Sequence, residues 1–152
     1  MSSHGAADGA SAAIGSVLYE LATKAVRRLP RDLSLTSAAT LATLDRTGPR
    51  RITDLAASEG VTQPAMTVLV RVMEEDGLVE RSGDPSDKRV TLVRLTQAGE
   101  SYVRARRQAG VQAFARLIDK LTDDDVEALT AALPALLRLE ALDGQDQEGS
   151  KR

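Results

Sequence analysis

Four charged residues stand close together in the chain: Asp84, Asp87, Lys88 and Arg89. Apolar and polar residues alternate on both sides of them, at 78–81 and at 90–95, which predicts the two strands of a β-hairpin with the charges in its loop. An arginine is attracted to the negative potential of a narrow DNA minor groove, whereas aspartates near DNA repel phosphate unless neighbouring donors engage them. The alternative is a solvated turn built on the Asp-Pro pair.

Three polar residues recur at helical spacing a little earlier: Gln63, Thr67 and Arg71. The apolar positions between them predict the buried face of the same helix: Met66, Leu69, Val70, Val72 and Met73. The polar side chains then lie where they can reach the base edges of DNA. For Arg71 the alternative is an ion pair with Glu74 or Glu75 on the same helix. Arg50 and Arg51, further upstream, could bind phosphates or stand as simple loop charges.

The elements that must position these residues follow from apolar spacing and from end signals. A first helix is predicted over 12–29, ended by Pro30. Five threonines are predicted to cap the later helices: Thr36, Thr53, Thr62, Thr96 and Thr122. Glycines follow the ends of three of these helices: Gly48, Gly60 and Gly77. Leu41 and Leu44 are expected to face inward.

Two of these helices, in ITDLAASEG and VTQPAMTVLVRVMEEDG, are joined by a short turn that contains glycine. This arrangement is typical of a helix-turn-helix. Pro64 suits the first turn of the second helix, where a missing amide hydrogen costs nothing. In the last helix, Thr122 and Asp125 predict a capping box, and Pro134 predicts a kink or a break.

Composition excludes several kinds of chemistry. The sequence holds no cysteine and one histidine, His4, so disulfides, thiolate metal sites, thiol redox sensing and histidine-based triads are excluded. It has no Gly-rich phosphate loop and no cluster with metal-ligand spacing, and the acidic run at 123–125 is better explained as a helix start. We therefore expect no enzyme, no cofactor and no metal.

Length and charge set the broad class. The 152 residues suffice for one ordinary domain, and the net charge is -2. Positions 24–107 nevertheless carry 15 basic against 11 acidic residues, so the middle is mildly basic and both ends are acidic. No run approaches the roughly 18 apolar residues of a membrane span, and no signal peptide is found. We expect a cytoplasmic protein with no membrane partner.

The order of elements, with a charged hairpin directly after a helix-turn-helix, is that of a winged helix. Over residues 12–142 the chain resembles the MarR family of transcriptional regulators. The resemblance rests on six short motifs: LT at 35–36, ITDLA at 52–56, VTQPAMT at 61–67, EEDGLVER at 74–81, DPSDKR at 84–89 and LTQAG at 95–99. It implies a mainly α fold with a small β-hairpin wing and with dimerisation helices at both termini.

The resemblance also assigns roles to the charged hairpin. Arg89 would enter the minor groove, Lys88 would bind phosphate, and Asp84 and Asp87 would accept hydrogen bonds that hold the wing's shape. The major-groove or phosphate candidates become Thr62, Gln63, Thr67 and Arg71. Two positions depart from the family pattern, because Ser86 and Val68 often correspond to arginine or another polar residue in relatives. Val68 could instead touch a thymine methyl group.

The same resemblance divides the chain into four parts. It implies a flexible segment at 1–11, a helical dimerisation region at 12–33 and 97–142, a DNA-binding region at 34–96 and a disordered tail at 143–152. The apolar surfaces of the first and last helices support a homodimer independently, since pairing would bury them. A symmetric dimer predicts a pseudo-palindromic operator in double-stranded DNA.

Many members of the family release DNA when a small molecule binds. Four residues are candidates for contacting such an effector: Tyr19, Arg27, Arg28 and Tyr102. For both tyrosines the favoured alternative is a place in the core or in the dimer interface. The resemblance implies a dimeric repressor of its own or neighbouring genes. The competing interpretation is a winged-helix dimer that serves as a protein-interaction scaffold without a specific DNA target.

Overall fold

The computed structural model describes residues 3–29, 32–83 and 90–149, and it places six helices and three strands in them. In chain order these are α1 (Ser3–Arg28), α2 (Leu35–Thr47), β1 (Arg50–Arg51), α3 (Ile52–Ser58), α4 (Gln63–Glu75), β2 (Val79–Gly83), β3 (Thr91–Leu95), α5 (Gln97–Ile118) and α6 (Asp123–Gly149). The chain divides into two compact units, Met1–Gln112 and Ala113–Arg152. The predicted class, mainly α with a small hairpin, is confirmed.

One apolar core lies in the first unit. Its buried side chains come from α2, α3, α4 and both hairpin strands: Leu41, Leu44, Leu55, Ala56, Met66, Val70, Met73, Val79 and Val93. Leu41 and Leu44 face inward as predicted. Because one cluster joins these elements, burial of its apolar surface fixes the helix-turn-helix and the hairpin to the same body.

The strands form one antiparallel sheet in the order β1-β3-β2. Val79 pairs with Leu95 at one end of the hairpin and Gly83 with Thr91 at the other, so β2 begins one residue later than predicted and extends two residues further. The two-residue strand β1 was not predicted. Arg50 and Arg51 pair with Val93 and Leu92, and two adjacent charged residues offer no alternating pattern from which a strand could be read.

Three of the predicted threonine caps are confirmed. The Thr62 hydroxyl accepts a hydrogen bond from the Ala65 amide at 3.4 Å, and the Thr96 hydroxyl accepts one from the Gly99 amide at 3.1 Å. At the start of α6, the Asp125 amide donates to the Thr122 hydroxyl at 3.3 Å, and the Thr122 amide donates to the Asp125 carboxylate at 3.4 Å. This reciprocal pair is the predicted capping box.

The other two predicted caps are wrong. Ser34, not Thr36, caps α2: its hydroxyl accepts from the Ser37 amide at 3.0 Å, and Thr36 lies inside the helix. Thr53 does not cap α3, which begins at Ile52 after Arg51 and has no side-chain cap. Pairing of β1 with β3 holds Arg51 in an extended conformation, so the helix starts directly where the strand ends.

Replacing Ser34 by alanine is expected to lower the free energy of unfolding by about 1 kcal/mol, because the Ser37 amide loses its acceptor. Urea titration at a fixed protein concentration measures this as a lower midpoint with an unchanged slope. Thr36→Ala is the control, and a smaller loss is expected for it. A larger loss for Thr36→Ala than for Ser34→Ala would contradict the cap seen in the structure.

Both terminal helices are longer than predicted. The helix α1 begins at Ser3, within the segment 1–11 that was expected to be flexible, and α6 continues to Gly149, within the tail expected to be disordered. Five alanines in the first 11 residues of α1 favour the helix there, although two glycines oppose it. The helix α6 also runs unbroken through Pro134, so of the kink or break predicted there, the break is absent. Strong helix formers on both sides offset the one hydrogen bond that proline removes.

Candidate nucleic-acid interface

The helix α4 is held against α3 by a tight turn. The Glu59 amide donates to the Leu55 carbonyl and the Val61 amide to the Ala56 carbonyl, each at 3.0 Å. Gly60 has φ +64, a conformation that favours glycine. Leu55 and Ala56 are themselves buried, so the turn is anchored to the core. The N-terminus of α4 therefore has a defined position relative to α3.

One face of α4 is buried and the other is open to solvent. Met66, Val70 and Met73 are completely buried. The polar residues predicted to contact DNA are all exposed: Thr62, Gln63, Thr67 and Arg71. The structure thus brings these four side chains together at the N-terminal end and on the open side of one helix. An exposed helix face of this kind can enter the major groove.

The hydrogen bonds of these polar residues leave donors for DNA. The Thr67 hydroxyl donates to the Gln63 carbonyl at 2.9 Å, and the Thr62 hydroxyl accepts from a backbone amide, so its own proton stays available. Arg71 Nε lies 3.6 Å from Glu75 Oε1, which is the ion pair considered as the alternative. Both side chains are about two-thirds exposed, and an exposed pair of this spacing contributes only about 0.3–0.5 kcal/mol. A phosphate can therefore displace Glu75.

Two partly exposed ion pairs lie at the base of the hairpin. Arg94 Nη2 contacts Glu80 Oε1 at 2.7 Å between directly paired strand residues, and Arg81 Nε lies 3.4 Å from Glu74 Oε2 on α4. The second pair ties β2 to α4, the helix that carries the polar face. The predicted wing residues lie outside the described residues: Asp84, Asp87, Lys88 and Arg89. Their roles stay a prediction from the sequence.

Arg50 and Arg51 are not loop charges, because they form β1. Both are exposed, and the Arg50 Nε group donates to the Thr47 hydroxyl at 3.1 Å. Their strand pairs with β3, whose other edge pairs with β2. The two guanidinium groups are thereby attached to the same sheet as the hairpin. Phosphate binding by these residues stays a prediction.

A junction at the start of α5, which sequence reasoning missed, holds this region together. The Thr96 hydroxyl donates to the Gly77 carbonyl at 2.6 Å, and the Thr96 amide donates to the Leu78 carbonyl at 3.1 Å. A Cβ atom at Gly99 would overlap the Leu78 carbonyl oxygen. The only signal in the sequence was a glycine in the first turn of a helix, three residues after its capping threonine.

The residues predicted to contact an effector differ in their surroundings. Tyr19 is 72% exposed, and Arg27 and Arg28 are exposed in the last turn of α1. The Tyr102 hydroxyl donates to Asp32 Oδ1 at 2.9 Å and accepts from Arg106 at 3.3 Å. Burial and the bond to Asp32 raise the pKa of Tyr102 above its usual value.

Sequence reasoning had not identified two partners of this tyrosine. Arg106 is 14% exposed and lies 3.8 Å from Asp32, so the three side chains form one cluster between the segment before α2 and the helix α5. Tyr102 also packs against the apolar core. This ring therefore has a structural role in the first unit.

In the part of the chain that the structure describes, no three His, Cys, Asp or Glu side chains form a group that could hold a metal ion. No helix within the same ranges is long and apolar enough to cross a membrane. The exposed face of α4 with the adjoining hairpin remains the candidate site.

The sequence is similar to those of known transcriptional regulators. The sequence model of the MarR family matches residues 33–91, which extend from just before α2 into β3. An HTH-type transcriptional regulator of Mycobacterium leprae is 32% identical over 124 residues, which cover 76% of this chain and 87% of that protein. The HTH-type transcriptional repressor IacR of Pseudomonas putida is 30% identical over 90 residues, covering 59% of this chain and 54% of that protein.

Solved structures share the fold. A transcriptional regulator of Thermotoga maritima matches with a TM-score of 0.76 at 20% identity, covering 90% of this chain and 96% of that one. MepR, a transcription regulator of the Staphylococcus aureus multidrug efflux pump MepA, matches with a TM-score of 0.66 at 24% identity, covering 84% of this chain and 96% of that one. A mutant of MarR from E. coli matches with a TM-score of 0.64 at 26% identity, covering 81% of this chain and 95% of that one. The predicted winged-helix architecture is confirmed.

Proposed function

The chain belongs to the MarR family of DNA-binding transcriptional regulators, and from this premise we propose that it is a homodimeric repressor of its own or neighbouring genes. Members of this family are regulators and not enzymes. The proposed operator is a pseudo-palindrome in double-stranded DNA. The similarity to IacR, which is named a repressor, supports the direction of regulation.

The observation that carries this proposal is the division of α4 into two faces. Its buried face is fixed to the core by Met66, Val70 and Met73. Its open side presents Thr67, whose hydroxyl already donates to the Gln63 carbonyl, together with Gln63 and Arg71, which offer amide and guanidinium donors. These groups match the acceptors on base edges and phosphates in the major groove. A helix held so firmly can read a defined base sequence.

Exposed apolar side chains on the terminal helices support the dimer. On α1, Ile14, Val17 and Tyr19 are each more than half exposed. On α6, large apolar residues are exposed at helical spacing: Val126, Leu129, Leu133, Leu136 and Leu137. Surfaces of this kind mark interaction sites, because water contact with them is unfavourable. A second copy of the chain would bury them, as a two-fold axis presents the same patch twice.

The dimer sets the geometry of the operator. Two copies of α4 related by a two-fold axis would enter successive major grooves on one side of the duplex. The half-site centres are then about 10 bp apart, one turn of the DNA helix. Release by a small molecule is a further expectation from the family, with Tyr19, Arg27 and Arg28 as its exposed candidate contacts.

The proposal is tested by titrating the purified protein into labelled DNA from upstream of its own gene, with fluorescence anisotropy at low and moderate salt. Tight binding that falls steeply with salt, and that random DNA does not compete, is expected because each phosphate contact releases a counterion. Weak binding without sequence preference to this and to every other candidate promoter would favour the protein-interaction scaffold.

Replacing Arg89 by alanine is expected to weaken operator binding by about 1–3 kcal/mol, because the wing loses its minor-groove side chain. The same anisotropy titration measures the loss. Arg94→Ala is the matched control, since this arginine lies on the same hairpin but is paired with Glu80. Equal affinity of Arg89→Ala and the parent protein would show that the wing is assigned wrongly.

A further inference from the structure

The open side of α4 carries an apolar ridge of three residues, Pro64, Val68 and Val72. They are spaced four residues apart, so they lie along one face of the helix. Val68 is 54% exposed and Val72 is 42% exposed, and Pro64 is exposed as well. Val72 was expected to face the core from its apolar character, and the structure contradicts this. The side chains of Met66, Val70 and Met73 fill the core instead.

Val68 is exposed on a helix, where valine is an unfavourable residue type, and this points to a binding role. Valine lowers helix stability relative to most residues, because its branched side chain loses freedom against the preceding turn. An exposed valine at this site gains little burial in return. Among the exposed residues that border it are Thr67 and Arg71, which are polar, and Ala65, which is small. The ridge therefore lies inside a surface suited to DNA rather than at the edge of the core.

The major groove contains one apolar group on its base edges, the 5-methyl group of thymine. We infer that the apolar ridge reads thymine methyl groups, with Val68 as the residue that determines specificity for an A·T pair in each half-site. This inference rests on the proposed function. The polar residues of this face favour DNA as the occupant, because the Arg71 guanidinium and the Gln63 amide complement phosphates and base acceptors, whereas an apolar protein partner would leave these donors desolvated.

A methyl-deletion experiment tests the inference. The tightest duplex is first selected from a random pool by the purified protein, and each thymine of its half-site is then replaced by deoxyuracil, which pairs identically but lacks the methyl group. At one position in each half-site, the parent protein is expected to lose affinity by about fourfold per methyl group removed, the factor for one buried methyl. Val68→Ala is expected to bind the thymine duplex more weakly and to show no further loss with deoxyuracil.

Leu35→Ala provides the matched control. Leu35 is 65% exposed but lies on α2, so its removal is expected to leave the fourfold discrimination unchanged. Both substituted side chains are exposed, so both variants are expected to fold, which circular dichroism checks.

Three results would overturn the inference in distinguishable ways. If the parent selects a duplex but binds its deoxyuracil forms equally well, the methyl reading fails while the proposed function stands. If Val68→Ala loses as much affinity as the parent on methyl removal, another residue reads the methyl group. If no duplex is enriched from the pool, the proposed function and the inference built on it both fail.

Discussion

Replacing Gly99 by alanine is expected to lower the free energy of unfolding by about 3 kcal/mol or more. The added Cβ would overlap the Leu78 carbonyl oxygen and would lie 3.0 Å from the Leu78 carbonyl carbon. This backbone cannot move aside easily, because the Leu78 carbonyl accepts from the Thr96 amide and the Leu78 amide donates to the Met73 carbonyl at 2.9 Å. Urea unfolding at a fixed protein concentration measures the loss.

Gly110, on the same helix, provides a control for which the opposite change in the free energy of unfolding is expected. A Cβ at Gly110 would meet only the Leu29 side chain, at an ordinary 3.7 Å. Gly110→Ala is therefore expected to stabilise the protein by up to about 1 kcal/mol, since alanine is the better helix former. A Gly99→Ala variant that unfolds at the same urea concentration as the parent would show that the close approach of α5 to Leu78 is wrong.

Replacing Leu133 by glutamate is expected to convert the dimer to monomers and to weaken operator binding on the order of 100-fold. Leu133 is 52% exposed in the single chain, so the change removes little from the protomer's own packing. At a dimer interface the same carboxylate would be buried without a partner, which is costly. A monomer also loses the gain in affinity that comes from linking two half-sites. Sedimentation velocity and fluorescence anisotropy measure the two effects.

Arg138→Ala is the control, because it changes the net charge of the protomer by the same amount as Leu133→Glu. Arg138 lies about 140° away from Leu133 around a helix of 3.6 residues per turn. It is exposed on α6 and is expected to leave the dimer intact. If Leu133→Glu sediments as a dimer and binds the operator with the parent's affinity, this face of α6 does not form the interface.

The parts of the fold that were predictable are those decided by neighbouring residues. The Thr62 cap with Pro64 in the following turn, and the pairing of Thr122 with Asp125, depend on side chains within three residues of one another. Likewise Gly60 could be placed after α3, because a positive φ at a turn favours glycine wherever the chain leads next. Such signals do not depend on tertiary structure.

The parts that were missed depend on distant contacts. The start of α3 is decided by the pairing of Arg51 with Leu92, some forty positions away, and this overrides the local capping signal of Thr53. Val72 has the same apolar character as Val70, and only the packing of α4 shows which of the two faces the core. Gly99 was missed, because the reason for a glycine there, the nearby Leu78 carbonyl, exists only in the folded chain.

The placement of three candidate residues on one helix was predictable, while their contact with DNA stays a prediction. Gln63, Thr67 and Arg71 follow helical spacing, and the structure places them on the open side of α4. Spacing could not reveal that Arg81 reaches Glu74, because that contact joins a strand to a helix. Hairpin pairing was predictable from alternation alone, while the third strand of the sheet was not.

The junction of Thr96 and Gly99 with the turn after α4 also has a mechanical meaning. With the first turn of α5 bonded to Gly77 and Leu78, the helix-turn-helix, the hairpin and the start of α5 form a single rigid body. The 13 residues of α4 span about 20 Å, so a rotation of this whole body by about 10° about the junction would displace the N-terminal end of α4 by about 3.5 Å. That displacement is close to the roughly 3.4 Å step between base pairs. A small change in the direction of α5 would thus move the exposed face of α4 by a distance similar to one base-pair step.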